Sequence, residues 1–289
     1  MAQLIDVLKS GKFVVTSEVA PPKGVDMAQC LEDAELVRGR ADAFNVTDQQ
    51  SSVMRNGSLA TSCLLKQRGL EPVFQLTCRD RNRIALQSDL LSAYVLGIEN
   101  VLCLTGDYVS LGDHPQAKPV FDLDSVSLLR VAKRLQEGFD MAGKELKGAP
   151  KFCLGAVVTP GAVPLEPQIM KMEKKVKAGA QFFQTQAVYD AKLLESFMAQ
   201  VKHLKVPIMA GIVLIKSPAQ ARFMNKNVAG IKVPDSLIEE MEKAESKPQK
   251  CIEVTARLIK EFKGLCQGVH LMPIGWEKRV PAILDAAGL

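Results

Sequence analysis

The sequence predicts a single (β/α)8 barrel over residues 1–289. Eight short apolar runs recur along the chain, the segments between them carry apolar residues at helical spacing, and the nucleotide fingerprints of open sheets are missing. The runs lie at 13–20, 43–47, 72–78, 100–105, 152–158, 181–185, 207–215 and 269–274. They are apolar almost throughout instead of at alternate positions, as in parallel strands buried on both faces. Segments such as SLATSCLLKQRG, SVSLLRVAKRLQEGF and AKLLESFMAQVKHL read as helices, and Gly or Pro closes many of them. The alternative is an open doubly wound sheet, but no GxGxxG follows the first run and no GxxxxGK[ST] occurs. GIKVPDSLIEEMEKAESKPQK, between the seventh and eighth runs, reads as a loop with an additional helix and not as a domain boundary.

The composition agrees. A chain of 289 residues suits a barrel, typically about 250 residues. Hydrophobic residues make up 47% and aromatic residues only 5%, so the core is expected to be aliphatic. No apolar run approaches the roughly 18 residues that span a bilayer. The start, MAQLIDVLKSGKF, has no basic region followed by an apolar stretch, so no signal peptide is expected. Seven cysteines stand singly, without a CxxC pair. They imply a reducing, cytoplasmic setting with neither disulfides nor a cysteine metal site. The net charge of +5 is scattered and lacks an arginine-rich arm, which argues against nucleic acid and fits a small anionic ligand.

Barrel chemistry sits at the carboxyl ends of the strands. There the sequence offers Glu18, Thr47-Asp48, Gln75 and Thr77, Thr105-Gly106-Asp107, Thr159, Gln184 and Gln186, Lys216-Ser217, and Pro273 to Trp276. Each has a plainer alternative. Glu18 could pair with Lys23 at the rim, Asp107 could cap the next segment, Gln186 could satisfy nearby backbone, and Lys175 could lie on a solvated lysine-rich face. His270 reads as a hydrogen-bonded core histidine, His203 as a helix-surface residue and His114 as a loop residue. Three histidines so dispersed make no metal triad, and no GxSxG nucleophile elbow occurs. Carboxylates, amides and a glycine-bearing loop suit binding of a flat heterocycle with acid assistance, not metal hydrolysis or an acyl-enzyme.

Taken in order, SEVAPPK, NVTD, QLTCRDRNR, LTGD, KKVKAGAQFFQTQAVYD and GIVLIKSPAQARFMNK resemble the methylenetetrahydrofolate reductase family of flavin barrels over nearly the whole chain. The resemblance implies reduction of 5,10-methylenetetrahydrofolate to 5-methyltetrahydrofolate on a flavin. Glu18 would be the catalytic acid, and Asp107 the second catalytic residue, between flavin and folate. Thr47, Gln75, Thr105, Gly106, Asp107, Phe121 and Lys175 would hold the flavin, with Lys175 near its phosphate. Gln186, Gln220, Phe223 and Trp276 would meet the substrate. Gln75 stands where a histidine is usual, Phe121 near a usual tyrosine, and Trp276 in place of an arginine for the folate tail. The family cofactor is FAD; Gln75, Phe121 and a shorter strand-five loop leave FMN open. VTDQQSSVMR and GDHPQAKPVFDLDS are similar to the anaerobe and acetogen branch. There electrons come from NADH or from a partner subunit of iron–sulfur or zinc type, which implies a homo- or hetero-oligomer. The rival reading is a flavin- or pterin-binding barrel without reductase activity, or a folate-dependent methyltransferase-like barrel. A Schiff-base aldolase would need Lys216.

Overall fold

The computed structural model describes residues 4–289; the first three residues of the amino-terminal stretch lie outside it. Eight strands form a closed, all-parallel barrel in chain order. They are β1 (Val14–Val19), β2 (Ala43–Val46), β3 (Pro72–Thr77), β4 (Asn100–Leu104), β5 (Cys153–Val158), β6 (Phe182–Ala187), β7 (Ile208–Val213) and β8 (Gly268–Met272). The helices are α1 (Leu4–Lys9), α2 (Ala28–Glu35), α3 (Ser58–Gln67), α4 (Arg83–Val95), α5 (Ser125–Gln136) and α6 (Glu166–Ala178). They continue with α7 (Ala191–Val201), α8 (Pro218–Asn227), α9 (Asp235–Lys243), α10 (Lys247–Phe262) and α11 (Val280–Ala287). All eight expected runs are strands, with ends that differ by no more than two residues. The charged segment before β8 supplies α9 and the start of α10. Among the described residues no helix is long and apolar enough to cross a membrane.

The lumen is layered. At the amino-terminal end Leu4, Ile5 and Leu8 of α1 pack against Val14, Ala43, Val73, Leu102, Cys153, Phe182 and Met209, which seals the floor. One step higher the lining turns polar. Thr16, Asn45, Gln184 and His270 are almost fully buried and bonded to one another. Buried polar groups are tolerated in such a place only when partnered. The outer strand faces carry the aliphatic residues that meet the helices, in two large clusters. Gly155 on β5 pairs in register with Phe182 on β6. The absence of a side chain there makes room for the ring: a Cβ at this glycine would lie 2.2–2.7 Å from three Phe182 ring atoms.

Gly155→Ala is therefore expected to lower stability by about 1–3 kcal/mol through overpacking. A urea titration would show a lower midpoint at unchanged slope, and adding Phe182→Leu should restore part of the loss. A midpoint equal to that of the parent would mean that the ring can move aside at little cost.

Candidate active site

At the carboxyl ends of the strands a cleft of about 350 Å³ opens above the polar layer. Its walls bring together Glu18, Thr47, Gln75, Thr105, Gly106, Asp107 and Lys175 of the expected site, along with Asp48, Gln50, Thr77, Gln168 and Lys171. Six of the seven expected cofactor positions thus line one space; Phe121 is the exception. It lies half-buried at φ 41 against Tyr108, with ring centroids 6.2 Å apart.

Glu18 is buried and has company that the sequence did not reveal. Its Oε1 accepts a hydrogen bond from Gln50 Nε2 at 3.0 Å, and its Oε2 lies 3.8 Å from His270 Nε2. Lys23, the expected rim partner, pairs instead with Asp113. Asp107 is exposed at the cleft mouth, where its Oδ2 accepts from the Ser51 amide at 3.1 Å. The segment Gln49–Ser52 thus reaches both carboxylates. It does so in an unusual backbone: Gln49, Ser51 and Ser52 take φ of 51, 55 and 59. Left-handed geometry costs an ordinary residue roughly 1–2 kcal/mol. Several contacts hold it. The Gln49 side chain clasps the Arg55 backbone through both amide atoms, at 2.8 and 3.1 Å. Gly112 lies so close to Ser52 that a Cβ would fall 1.8 Å from the Ser52 carbonyl oxygen. Hydrogen bonds from Lys23, His114 and the Met54 amide hold the Asp113 carboxyl far below the usual carboxylate range, which knits the loops after β1, β2 and β4 together.

Asp48 is wholly committed to structure. It accepts from the Thr77 amide and hydroxyl at 2.9 and 2.8 Å and from both Arg81 terminal nitrogens at 2.7 and 3.1 Å. This fixes the ends of β2 and β3 that present Thr47, Gln75 and Thr77. The Thr105 hydroxyl accepts from the Ser125 amide at 3.1 Å and so ties the end of β4 to the start of α5. Thr47 Oγ1 is different: it is buried and has no hydrogen-bond partner. An unsatisfied buried hydroxyl costs about 1–3 kcal/mol, and a ligand bearing a hydrogen-bonding group in the cleft removes that cost.

Lys175 departs from the solvated-face reading. It is the buried member of its lysine-rich helix, and its Nζ donates to the Val157 carbonyl at 2.6 Å. Burial, reinforced by repulsion from Lys171, pushes its pKa down to about 8. A cation kept from solvent beside a second lysine is poised for an anion such as a phosphate. The cleft thus has carboxylates on its β1 and β4 side and cations on its α6 side, with an orphan hydroxyl between. That donor set fits a flat polar ligand carrying a phosphate tail.

The expected substrate residues lie outside the walls of this cleft. Gln186 stands at an irregularity of the β6–β7 ladder, and its Oε1 accepts from the adjacent Ala187 amide at 3.0 Å. Gln220 closes the start of α8. Its Oε1 accepts from the Lys216 amide at 2.7 Å, and its own amide donates to Ser217 Oγ at 3.1 Å. Phe223 is 62% exposed on α8. Trp276 leans half-buried on the core beside the 3-10 turn after β8. Sequence reading passed over Gln50, and it took His270 for a core residue only. Gln50 carries no motif signal. His270 had one, a histidine two residues from the carboxyl end of an apolar strand.

The Lys175 environment yields a signed expectation. Its pKa in the ligand-free fold, about 8, lies below the ordinary 10.5. Below pH 8 the unfolded chain therefore binds the proton more tightly, and the buried charge opposes folding by on the order of 3 kcal/mol. That cost fades as pH rises from 8 to 10.5. Lys175→Met should raise the Tm of the ligand-free protein at pH 7 by about 2–6 °C after allowing for the lost hydrogen bond to Val157, with the gain shrinking across that window. A gain independent of pH across that window would mean that the Lys175 pKa is not depressed in the fold.

A family model for methylenetetrahydrofolate reductase matches residues 3–288. Methylenetetrahydrofolate reductase 2 of Schizosaccharomyces pombe is 24% identical over an alignment that takes in all of this chain and 47% of the relative. A probable methylenetetrahydrofolate reductase (NADPH) of Caenorhabditis elegans is 23% identical over 86% of this chain and 36% of its own length. The chain thus spans less than half the length of these curated relatives. Among solved structures, an uncharacterized Clostridium thermocellum protein that binds two copies of 5-methyl-5,6,7,8-tetrahydrofolic acid superposes with a TM-score of 0.67. That pair is 16% identical and covers 98% of this chain and 96% of the other. The match of the family model over almost every residue shows that the chain belongs to the methylenetetrahydrofolate reductase family.

Proposed function

We propose that this chain reduces 5,10-methylenetetrahydrofolate to 5-methyltetrahydrofolate with a bound flavin. The observation that carries the reading is the cleft that gathers Glu18, Asp107, the unpartnered Thr47 hydroxyl and the buried Lys175 into one space. Family membership supports the substrate, as does the folate held by the structurally similar clostridial protein. Thr47, Gln75, Thr105 and Gly106 would hold the flavin, with Lys175 and Lys171 at its phosphate. When bound, the flavin supplies hydride chemistry toward the one-carbon unit.

The protein's own part is acid catalysis and electrostatics. Opening the five-membered ring of the substrate requires a proton on its N10, and Glu18 is the carboxyl positioned inside the cleft to donate it. Asp107, at the mouth, stabilises the cation that ring opening leaves on the substrate. The Gln50 side chain and the Ser51 amide hold the two carboxylates from one short segment. Phe223, Gln186 and Trp276 do not line the cleft itself, and their contact with substrate rests on the family resemblance.

Electron supply through a protein partner accords with the rim. Met54, Tyr108, Leu111, Val163, Phe223 and Ile274, on the loops and on α8 around the mouth, are large apolar side chains left exposed.

Two experiments test this reading. Flavin-loaded protein mixed anaerobically with 5-methyltetrahydrofolate should bleach, and Glu18→Gln should keep flavin and folate binding while slowing the folate half-reaction about 10²–10⁴-fold. Near-normal turnover in that variant would remove Glu18 from the acid role, and failure of the parent to bleach would favour a pterin-binding barrel without reductase activity. In stopped flow, the chain alone is expected to reduce slowly with NADH; bleaching at roughly 1–10³ per second would show that no partner is needed.

A further inference from the structure

Beneath the candidate acid lies a second titratable group with no assigned task. His270 on β8 is almost fully buried. Its Nδ1 is 3.0 Å from Thr16 Oγ1, which also accepts a hydrogen bond from Gln184 Nε2 at 3.2 Å. Its Nε2 points to Glu18 Oε2 at 3.8 Å, an ion-pair distance and longer than a hydrogen bond. The other Glu18 oxygen is held by Gln50. Arg79, Asp107, Lys171 and Lys175 line the same cleft as Glu18, and Asp33 and Glu277 line a small pocket with it. Gly211 of β7, in register with His270, offers no side chain, and Asn45 and Gln184 of β2 and β6 are amides bonded to each other. Asp48, at the end of β2, is neutralised by Arg81. Lys216, beyond β7, is turned to the Ile274 carbonyl. On α10, outside β8, Lys250 and Arg257 pair with Glu240 and Glu253.

We propose that His270 is a positioning residue for Glu18, the two binding one proton between them so that the imidazole decides whether the carboxyl is protonated when substrate arrives. With Nδ1–H directed at Thr16, the pair has two arrangements of equal proton count: a carboxylic acid facing a neutral imidazole, or a carboxylate facing an imidazolium. Burial favours the neutral arrangement, because neither charge is then taken out of water. The Gln50 amide, a donor to Oε1, favours the carboxylate. The balance between them keeps the proton available to the cleft. The consequence for turnover rests on the reductase reading: the Glu18 O–H bond breaks as the substrate N–H bond forms, the bonding pair stays on the carboxylate, and a proton from solvent restores the pair.

The chain holds three histidines, and His114 and His203 are exposed, so the histidine-labelled protein gives one buried signal and two internal controls. Long-range proton–nitrogen NMR from pH 5 to 9, on wild type and Glu18→Gln without folate, reads the coupling directly. Loss of the carboxylate should change the pH dependence of the His270 signals and leave those of His114 and His203 in place. Glu18→Asp, a milder change that serves if the first variant misfolds, should alter that dependence less. His270 signals identical in parent and variant at every pH overturn the proposal. In turnover, His270→Gln keeps an amide for Thr16 and should move the pH profile of single-turnover folate reduction while folate KM stays within about twofold; a profile unmoved counts against the proposal. If wild type fails to reduce folate while the NMR coupling persists, only the reductase reading falls. Normal folate turnover with an uncoupled histidine sinks this proposal alone.

Discussion

The reciprocal amide pair between Asn45 and Gln184 is the contact on which the layered barrel depends. It runs across the lumen between β2 and β6, opposite members of the eight-strand ring, with hydrogen bonds of 2.8 and 2.9 Å. An eight-stranded parallel barrel has a lumen just wide enough for side chains to fill, and whatever fills it must be satisfied within it. Below the pair the filling is apolar and α1 seals it. Above the pair the strand ends diverge into the cleft. Replacing either amide by an apolar residue would leave its partner buried and unsatisfied, at a cost of about 1–3 kcal/mol. It would also disturb the ring of contacts that places Thr16 and His270.

This layering explains why a carboxylate survives in the first strand. Glu18 sits where polar filling meets open cleft, so it has an amide on one oxygen and an imidazole near the other. A fully apolar lumen would have made that position untenable for a charge. The strained Gln49–Ser52 segment has a related origin. To touch Glu18 and Asp107 together it must turn sharply after β2, and left-handed residues make that turn, held by the Gln49 clasp and by close contact with Gly112. Backbone strain of this kind persists where the surroundings over-determine it, and such places cluster at functional sites.

The charge arrangement across the cleft has a different source. Lys175 is buried because α6 packs that face against β5, so its ammonium finds the Val157 carbonyl and not water. A cation confined in this way is an energetic liability until an anion arrives, which couples ligand binding to the stability of that side of the barrel. The carboxylate side is preorganised by loops knotted through Asp113, so the two ends of the site are held by independent means.

Much of this was legible in the sequence. Strand number, strand order of appearance and the intervening helices follow from the periodicity of apolar residues, because parallel strands buried on both faces must be continuously apolar. The clustering of Glu18, Thr47, Gln75, Thr105, Gly106 and Asp107 followed from one rule, that the carboxyl ends of barrel strands share one face. The partners of those residues did not. Gln50 with Glu18, Asp107 with the Ser51 amide, His270 beneath the acid and Lys175 turned inward each join elements far apart in the chain, and no local pattern encodes the angle at which a loop or helix closes over its neighbour. Residue chemistry and periodicity, which are local, determined the barrel and which side chains would stand at its mouth. Register, loop closure and helix rotation, which depend on packing across the whole ring, decided which of them touch.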